Sequence, residues 1–189
     1  MKVLAVNGSA RKDGNTAVLI HRVLEELQKE GIETELIQLA GQSIEPCRAC
    51  GGQKNCVHKK DSFRDIFEKM QEAGGILLGS PVYSANISAK MQALLERAAV
   101  VCDMNPGLLT HKAGAAVTAA RRGGALHAAD AMNHFFLNHE MIVPGSSYWN
   151  MAYGQLPGDV EKDMEGLSNM ANLGKNMAYL LKRLNGCEG

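Results

Sequence analysis

The chain has 189 residues, 46% hydrophobic and 21% charged, which suits one domain with a hydrophobic core and argues against disorder. Twenty Lys and Arg balance 20 Asp and Glu, leaving neither the basic footprint of a nucleic-acid binder nor a basic membrane-surface helix. An odd count of five cysteines points to a reducing cytoplasm, and the apolar run Val3 to Val6 is too short for a signal peptide or membrane span.

Lys2 to Asn7 predicts a short strand, followed at once by glycine and polar residues. From Thr16 the pattern turns helical, with Leu19, Val23 and Leu27 at four-residue spacing, until Gly31. Thr34 to Leu39 alternates as an edge strand does, and a helix is expected after Asp61 as its N-cap. Gly75 to Ser80 predicts a fully buried strand broken at Pro81, and Ser88 is placed to cap the next helix. Lys112 to Ala120 predicts a small-residue strand ending in Arg121-Arg122-Gly123-Gly124, with a helix after it. Glu140 to Pro144 predicts the last strand, then an aromatic loop and a final helix from Gly158 to Leu184. Five strands alternating with five helices predict an α/β domain with a parallel sheet.

Ligands of open α/β sheets gather beyond the carboxyl ends of the strands, where three loops here have unusual composition. The first, Asn7 to Thr16, offers glycines, the hydroxyls of Ser9 and Thr16, the fork of Arg11 and a helix N-terminus, which together suit a phosphate. It is not a Walker A loop: five residues separate Gly8 from Gly14, and Asn15 stands where lysine should. It is not G-x-G-x-x-G either, because Ala10 occupies the second glycine position and no acid ends the second strand. The second loop, Gly79 to Ser88, breaks at Pro81 and presents Tyr83, an aromatic plane for a flat heterocycle. The third, Ala119 to Gly124, joins two arginines to two glycines. A phosphate pocket beside a flat-ring pocket suggests a mononucleotide.

These residues resemble the flavodoxin-like NADPH-dependent FMN reductase family, and within it the iron–sulfur flavoprotein branch. The matches are G-S-x-R-x-x-G-N-T at Gly8 to Thr16, G-S-P-V-Y at Gly79 to Tyr83, the cysteine segment before Asp61 and the helix Ser88 to Arg97. The resemblance implies a doubly wound five-stranded sheet of order 2-1-3-4-5 in one domain spanning residues 1–189. It implies FMN, with its phosphate on Ser9, Arg11, Asn15 and Thr16. The isoalloxazine edge is expected against Pro81, Val82, Tyr83 and Ser84, with Ala120, Arg121 and Gly124 on the other side of the ring. Hydride from NAD(P)H would enter the flavin and leave to a small-molecule acceptor such as a flavin or quinone, with Arg121 meeting negative charge on the reduced ring. A homodimer or homotetramer is expected, with the flavin near a subunit boundary. The alternative is a flavodoxin-like or iron–sulfur electron-transfer flavoprotein with no NAD(P)H turnover of its own; a redox-sensing module is a third reading.

The branch carries four compactly spaced cysteines as cluster ligands. Cys47, Cys50 and Cys56 fit that set, but Gln53 stands where the third cysteine belongs, and a cubane wants four thiolates. His58 would complete a Cys3His zinc set, although one residue is a tight spacing from Cys56. A Cys47–Cys50 redox pair is the other option. The reading adopted is a loop that has lost its cluster, with no metal. Cys102 and Cys187 look incidental, the ten methionines fill core or interface, and His111, His127, His134 and His139 lack metal-ligand spacing. Tyr148, Trp149 and Tyr153 are read as interface packing.

Overall fold

A computed structural model describes residues 1–186, so Cys187 lies outside the described residues. Five parallel strands, β1 (Lys2–Asn7), β2 (Glu33–Gln38), β3 (Gly75–Pro81), β4 (Ala113–Ala120) and β5 (Met151–Tyr153), form one sheet in the order β2-β1-β3-β4-β5. This is the expected doubly wound, flavodoxin-like arrangement. Helices α1 (Asn15–Lys29) and α5 (Met164–Asn185) cover one face; α2 (Phe63–Glu72), α3 (Ala89–Asp103) and α4 (Ala125–Asn138) cover the other. No helix among the described residues is long and apolar enough to cross a membrane.

The two cores follow from the helical spacing of apolar residues. On the first face Leu19, Ile20, Val23 and Leu27 of α1 meet Leu173, Met177 and Leu181 of α5 over the buried side of β1 and β3. On the second, Phe63, Phe67, Met91, Leu94 and Phe136 close over Leu4, Val6, Ile76 and Leu78. With both faces covered, β4 is buried throughout, and its alanine-rich sequence leaves room for the bulky residues above it.

Three expectations need correction. Glu140 to Pro144 is not the fifth strand: only Ile142 bridges Ala113, through Ile142 N–H to Lys112 O at 2.9 Å and Gly114 N–H to Ile142 O at 3.0 Å. Pro144 and Gly145 then take the chain away, and it returns as Met151–Tyr153 beside Thr118–Ala120. The final helix starts at Met164, capped by the Asp163 carboxylate on Gly166 N–H, after a separate 3-10 turn over Asp159–Lys162. The N-cap position of α2 belongs to Ser62, and Asp61 serves mainly another partner.

That partner is Arg97 of α3. The two side chains are 2% and 1% exposed and form a bidentate ion pair, Arg97 Nη1 to Asp61 Oδ2 and Nη2 to Oδ1. Arg97 also donates to Glu45 O at 3.1 Å, His58 O at 3.1 Å and Cys56 Sγ at 3.2 Å, and lies 4.1 Å over the Phe63 ring. One guanidinium thus holds both ends of the segment between Glu45 and Asp61 to α3. Lys90 Nζ on Leu39 O and Gln42 O, Glu96 on Cys47 N–H, and Asn105 on Lys54 O complete the docking.

Burial alone would raise the Asp61 pKa, but the Arg97 donors and the Glu45 N–H outweigh it and hold the carboxyl below its usual range. A depressed pKa means that Asp61 stabilises the fold above its unfolded value and ceases to as pH falls through the folded one. Asp61→Asn is expected to cost about 3–5 kcal/mol at neutral pH, because Arg97 is left buried without its counter-ion. In urea titrations the gap from the parent protein should narrow as pH drops below about 4.

Candidate functional site

The first loop is shaped by short side-chain contacts. Asn7 Oδ1 accepts from Ser9 N–H at 3.0 Å, Ser9 Oγ accepts from Arg11 N–H at 3.1 Å, and Gln38 Nε2 donates to Ser9 O at 2.9 Å. Gly8 N–H reaches across to Gly79 O at 2.7 Å, tying the loop to β3. The N-cap of α1 is Gly14, which has no side chain to offer, and the first turn holds no acidic residue. The end of α1 therefore keeps its dipole and free N–H groups for an anion. Ser9 and Thr16 are buried there, and the Asn15 Oδ1 is buried with no hydrogen-bond partner.

The second loop is a closed clip. Ser80 Oγ accepts Ser88 N–H at 2.9 Å and donates to Pro81 O at 2.8 Å, while Ser88 Oγ caps α3 at Met91 N–H as its sequence position predicts. Between them Tyr83 and Asn86 exchange N–H···O bonds of 2.8 and 3.0 Å around Ser84 and Ala85, both left-handed at φ 49° and 62°. That tight turn normally takes glycine or asparagine, so holding two other residues in it stores about 1–3 kcal/mol each. The turn lifts Tyr83 outward, where it is 47% exposed.

The third loop closes against the second. Gly124 has φ 90°, and a Cβ there would lie 2.7 Å from Ala85 Cα, so only glycine permits this approach. Val82 N–H to Ala119 O at 2.9 Å adds a direct bond between the two loops.

The three loops enclose a cavity of about 120 Å³. Ser9, Arg11, Asn15 and Thr16 line it from the first loop, Pro81, Val82 and Tyr83 from the second, and Arg121 from the third. Ser84, Ala120 and Gly124 do not line it: Ser84 sits at the exposed turn, Ala120 is buried beneath, and Gly124 packs on Ala85. Sequence reasoning placed Gly14 and Ala119 in these loops without giving either a contact, and missed Gly154 and Gln155. The last two follow β5, so misplacing that strand hid them; the signal was the short apolar run Met151–Tyr153 ending in glycine. A Cβ on Gly154 would lie 2.8 Å from Asn15 Nδ2, so the bare backbone keeps that side of the cavity open.

The chemistry fits a phosphate end with a flat ring: a fixed cation, hydroxyls, an unpartnered amide oxygen and an uncapped helix lie beside an exposed aromatic plane. At about 120 Å³ the space is smaller than the roughly 300–1,000 Å³ that enclose a whole small ligand, so a ring would lie on the open face. A roomier cleft of about 250 Å³ lies at the other edge of the sheet, where β4 begins. Asp103 and Glu140 line it, and burial lowers the His139 pKa, so it offers an anion no fixed cation.

The cysteine segment does not fit a cluster. Cys47, Cys50, Gln53 and Cys56 face one small cavity against α3, and Arg97 donates to the Cys56 sulfur. Among the described residues no three His, Cys, Asp or Glu side chains are placed to share a metal ion. A four-thiolate cubane lacks a ligand at Gln53.

The profile of the NADPH-dependent FMN reductase family matches residues 1–155. An iron–sulfur flavoprotein of Methanocaldococcus jannaschii is 38% identical, covering 96% of this chain and 98% of its own. An iron–sulfur flavoprotein of Methanosarcina thermophila is 31% identical, with 96% of each chain covered. Among solved structures RosB superposes with a TM-score of 0.81 at 20% identity, over all of this chain and 82% of its own, which speaks for the fold. The loop motifs, the sheet order and these relatives agree, and the chain belongs to the NADPH-dependent FMN reductase family, on its iron–sulfur flavoprotein branch.

Proposed function

We propose that the chain binds FMN at the carboxyl edge of its sheet and works as an NAD(P)H-dependent oxidoreductase, delivering electrons to a flavin, quinone or similar small acceptor. The observation that carries this reading is the convergence of Arg11, the orphaned Asn15 oxygen and the uncapped α1 on one cavity beside Tyr83. Ser9 and Thr16 hydroxyls, the Asn15 side chain and the Arg11 fork hold the phosphate, and α1 adds its dipole. Pro81, Val82 and Tyr83 support the ring edge, and Ser84 holds the turn that carries Tyr83. Ala120 and Gly124 seat the third loop so that Arg121 lines the cavity where the ring would lie.

Held by these residues, FMN would supply the chemistry of hydride acceptance from a reduced nicotinamide and electron release to an acceptor. Pro81, Val82 and Tyr83 would orient the ring, and none of the lining residues is required as an acid or base. Arg121, which lines the cavity, would offer its positive charge to the ring.

A carrier without its own turnover is less well supported, since such proteins dock through charged surfaces and this chain is balanced at 20 cationic and 20 anionic side chains. Tyr148 and Trp149, with ring centroids 4.5 Å apart, lie just before the last strand and Tyr153 ends it, all three half exposed. They suit the contact of a homodimer or homotetramer. The free thiols of Cys47, Cys50, Cys56 and Cys102 suit a reducing cytoplasm.

Two outcomes are expected. FMN-loaded protein titrated with NADPH or NADH without oxygen should lose its yellow two-banded absorption and regain it on adding a quinone; a spectrum that both nicotinamides leave unchanged contradicts NAD(P)H turnover. Arg11→Ala should weaken FMN binding by about tenfold to a hundredfold in a fluorescence titration, the cost of one charge-assisted contact of about 1.5–3 kcal/mol.

A further inference from the structure

The cleft of about 250 Å³ where β4 begins lies at the opposite end of that strand from the cavity of the three loops. Two helix C-termini meet there. α3 ends at Asp103 and α4 at Asn138, both on the wall of the cleft, and neither helix carries a basic residue in its last turn. A helix C-terminus bears a partial negative charge that a cation normally offsets. Here carboxylates are added instead. Asp103 and Glu140 line the cleft, no Lys or Arg does, and neither carboxylate is in an ion pair among the described residues.

The same wall holds a polar side chain without a partner. His139 is 7% exposed, and its Nε2 is buried with no hydrogen bond. Such an atom is costly to bury, and few in folded proteins go unpaired. Phe135 packs on the imidazole in a T-shaped contact, with ring centroids 4.8 Å apart. Burial lowers the His139 pKa against the pull of Asp103, so the ring is neutral at neutral pH and has one nitrogen free to accept a hydrogen bond. The rim is strained as well. His111 and Glu140 both take left-handed backbone, at φ 64° and 58°, and His111 N–H donates to Glu140 O at 3.0 Å. Thr110 Oγ1 donates to Glu140 Oε2 at 2.9 Å and steadies that carboxylate. Glycine would hold this turn with less strain, so the glutamate sits there at a cost to the fold.

We propose that this cleft binds an aliphatic diamine or polyamine, whose ammonium groups meet Asp103 and Glu140 and donate to the unpartnered nitrogen of His139. The methylene chain lies on Pro106, Leu108 and Leu109, the apolar part of the lining. The two helix ends add their attraction for positive charge. A bare metal ion is a poorer guest, because among the described residues no three His, Cys, Asp or Glu side chains are placed to share one. An ammonium group brings its own N–H donors and needs no such cage. The space falls a little below the roughly 300–1,000 Å³ of sites that enclose larger ligands, which suits a short chain. Both carboxylates are exposed, so water and salt weaken their pull, and the buried histidine supplies the contact that free ions cannot make. The site stands apart from the flavin cavity and holds whether or not flavin turns over.

The test is equilibrium dialysis of the full-length protein, loaded with FMN, against radiolabelled 1,4-diaminobutane at neutral pH and low salt. One diamine per chain is expected, held less tightly as salt is added. Glu140→Gln should weaken binding by about threefold to fivefold, as loss of an exposed charge pair does. His139→Phe should weaken it by about tenfold or more, the loss of a hydrogen bond to a charged group. Glu140→Gly relieves the left-handed strain, so it should keep or raise the urea midpoint while weakening binding as Glu140→Gln does, which a folding defect would not. The proposal is overturned if no diamine is retained beyond its level in the buffer, or if these variants retain as much as the parent. It is equally overturned if magnesium at the same concentration displaces the diamine, since the cleft would then be a screened patch of negative charge.

Discussion

The reversal of direction at β1 is the constraint on which the site depends. β1 is hydrogen-bonded to β2 on one side and β3 on the other, so the chain leaves it by α1 across one face and returns by α2 across the opposite face. Helices on both sides of one sheet cannot be joined over its carboxyl edge, and a crevice remains between the loops that follow β1 and β3. Into it α1 points an N-terminus that no side chain caps. Burying that end without an anion would leave donors unpaired, so the topology and the helix end ask for the same guest.

The loops around the crevice hold their shape at some cost. Ser84 and Ala85 occupy left-handed backbone that glycine would take more easily, and the Ser80–Ser88 bond and the contact of Ala85 with Gly124 hold them there. The result is a rigid rim with an exposed aromatic plane. Farther along α3, Arg97 organises the cysteine segment by a different route. Exposed pairs such as Lys182–Glu30 contribute little because water screens them. Arg97 and Asp61 are cut off from water, so their value lies in the cost of separating them, and that makes the pair a fixed post for the thiols around it.

Much of this was legible in the residues. The continuous apolar run of Gly75 to Ser80 and the small residues of Lys112 to Ala120 declare buried parallel strands, because burial on both faces erases alternation. The loop motifs were legible because glycine, hydroxyl and arginine in a turn have few other uses together. β5 was not, since three residues carry no period, while Met141-Ile142-Val143 mimic a strand more strongly than they form one. Gly154 and Gln155 went unseen with it. Arg97 and Asp61 were hidden for another reason: their partnership spans 36 positions and leaves no local pattern. In sequence Arg97 is one more charged residue on an amphipathic helix, and Asp61 is a plausible cap.

The central claim is that the cavity at the α1 N-terminus holds a phosphate rather than serving as a polar turn. The most direct measurement compares the dissociation constants of the flavin-free protein for FMN and for riboflavin, which share a ring and differ by the phosphate. FMN should bind at least about a hundredfold more tightly, since several charge-assisted contacts of about 1.5–3 kcal/mol each are made only by the phosphate. Equal affinities would contradict the phosphate site and with it the placement of the cofactor.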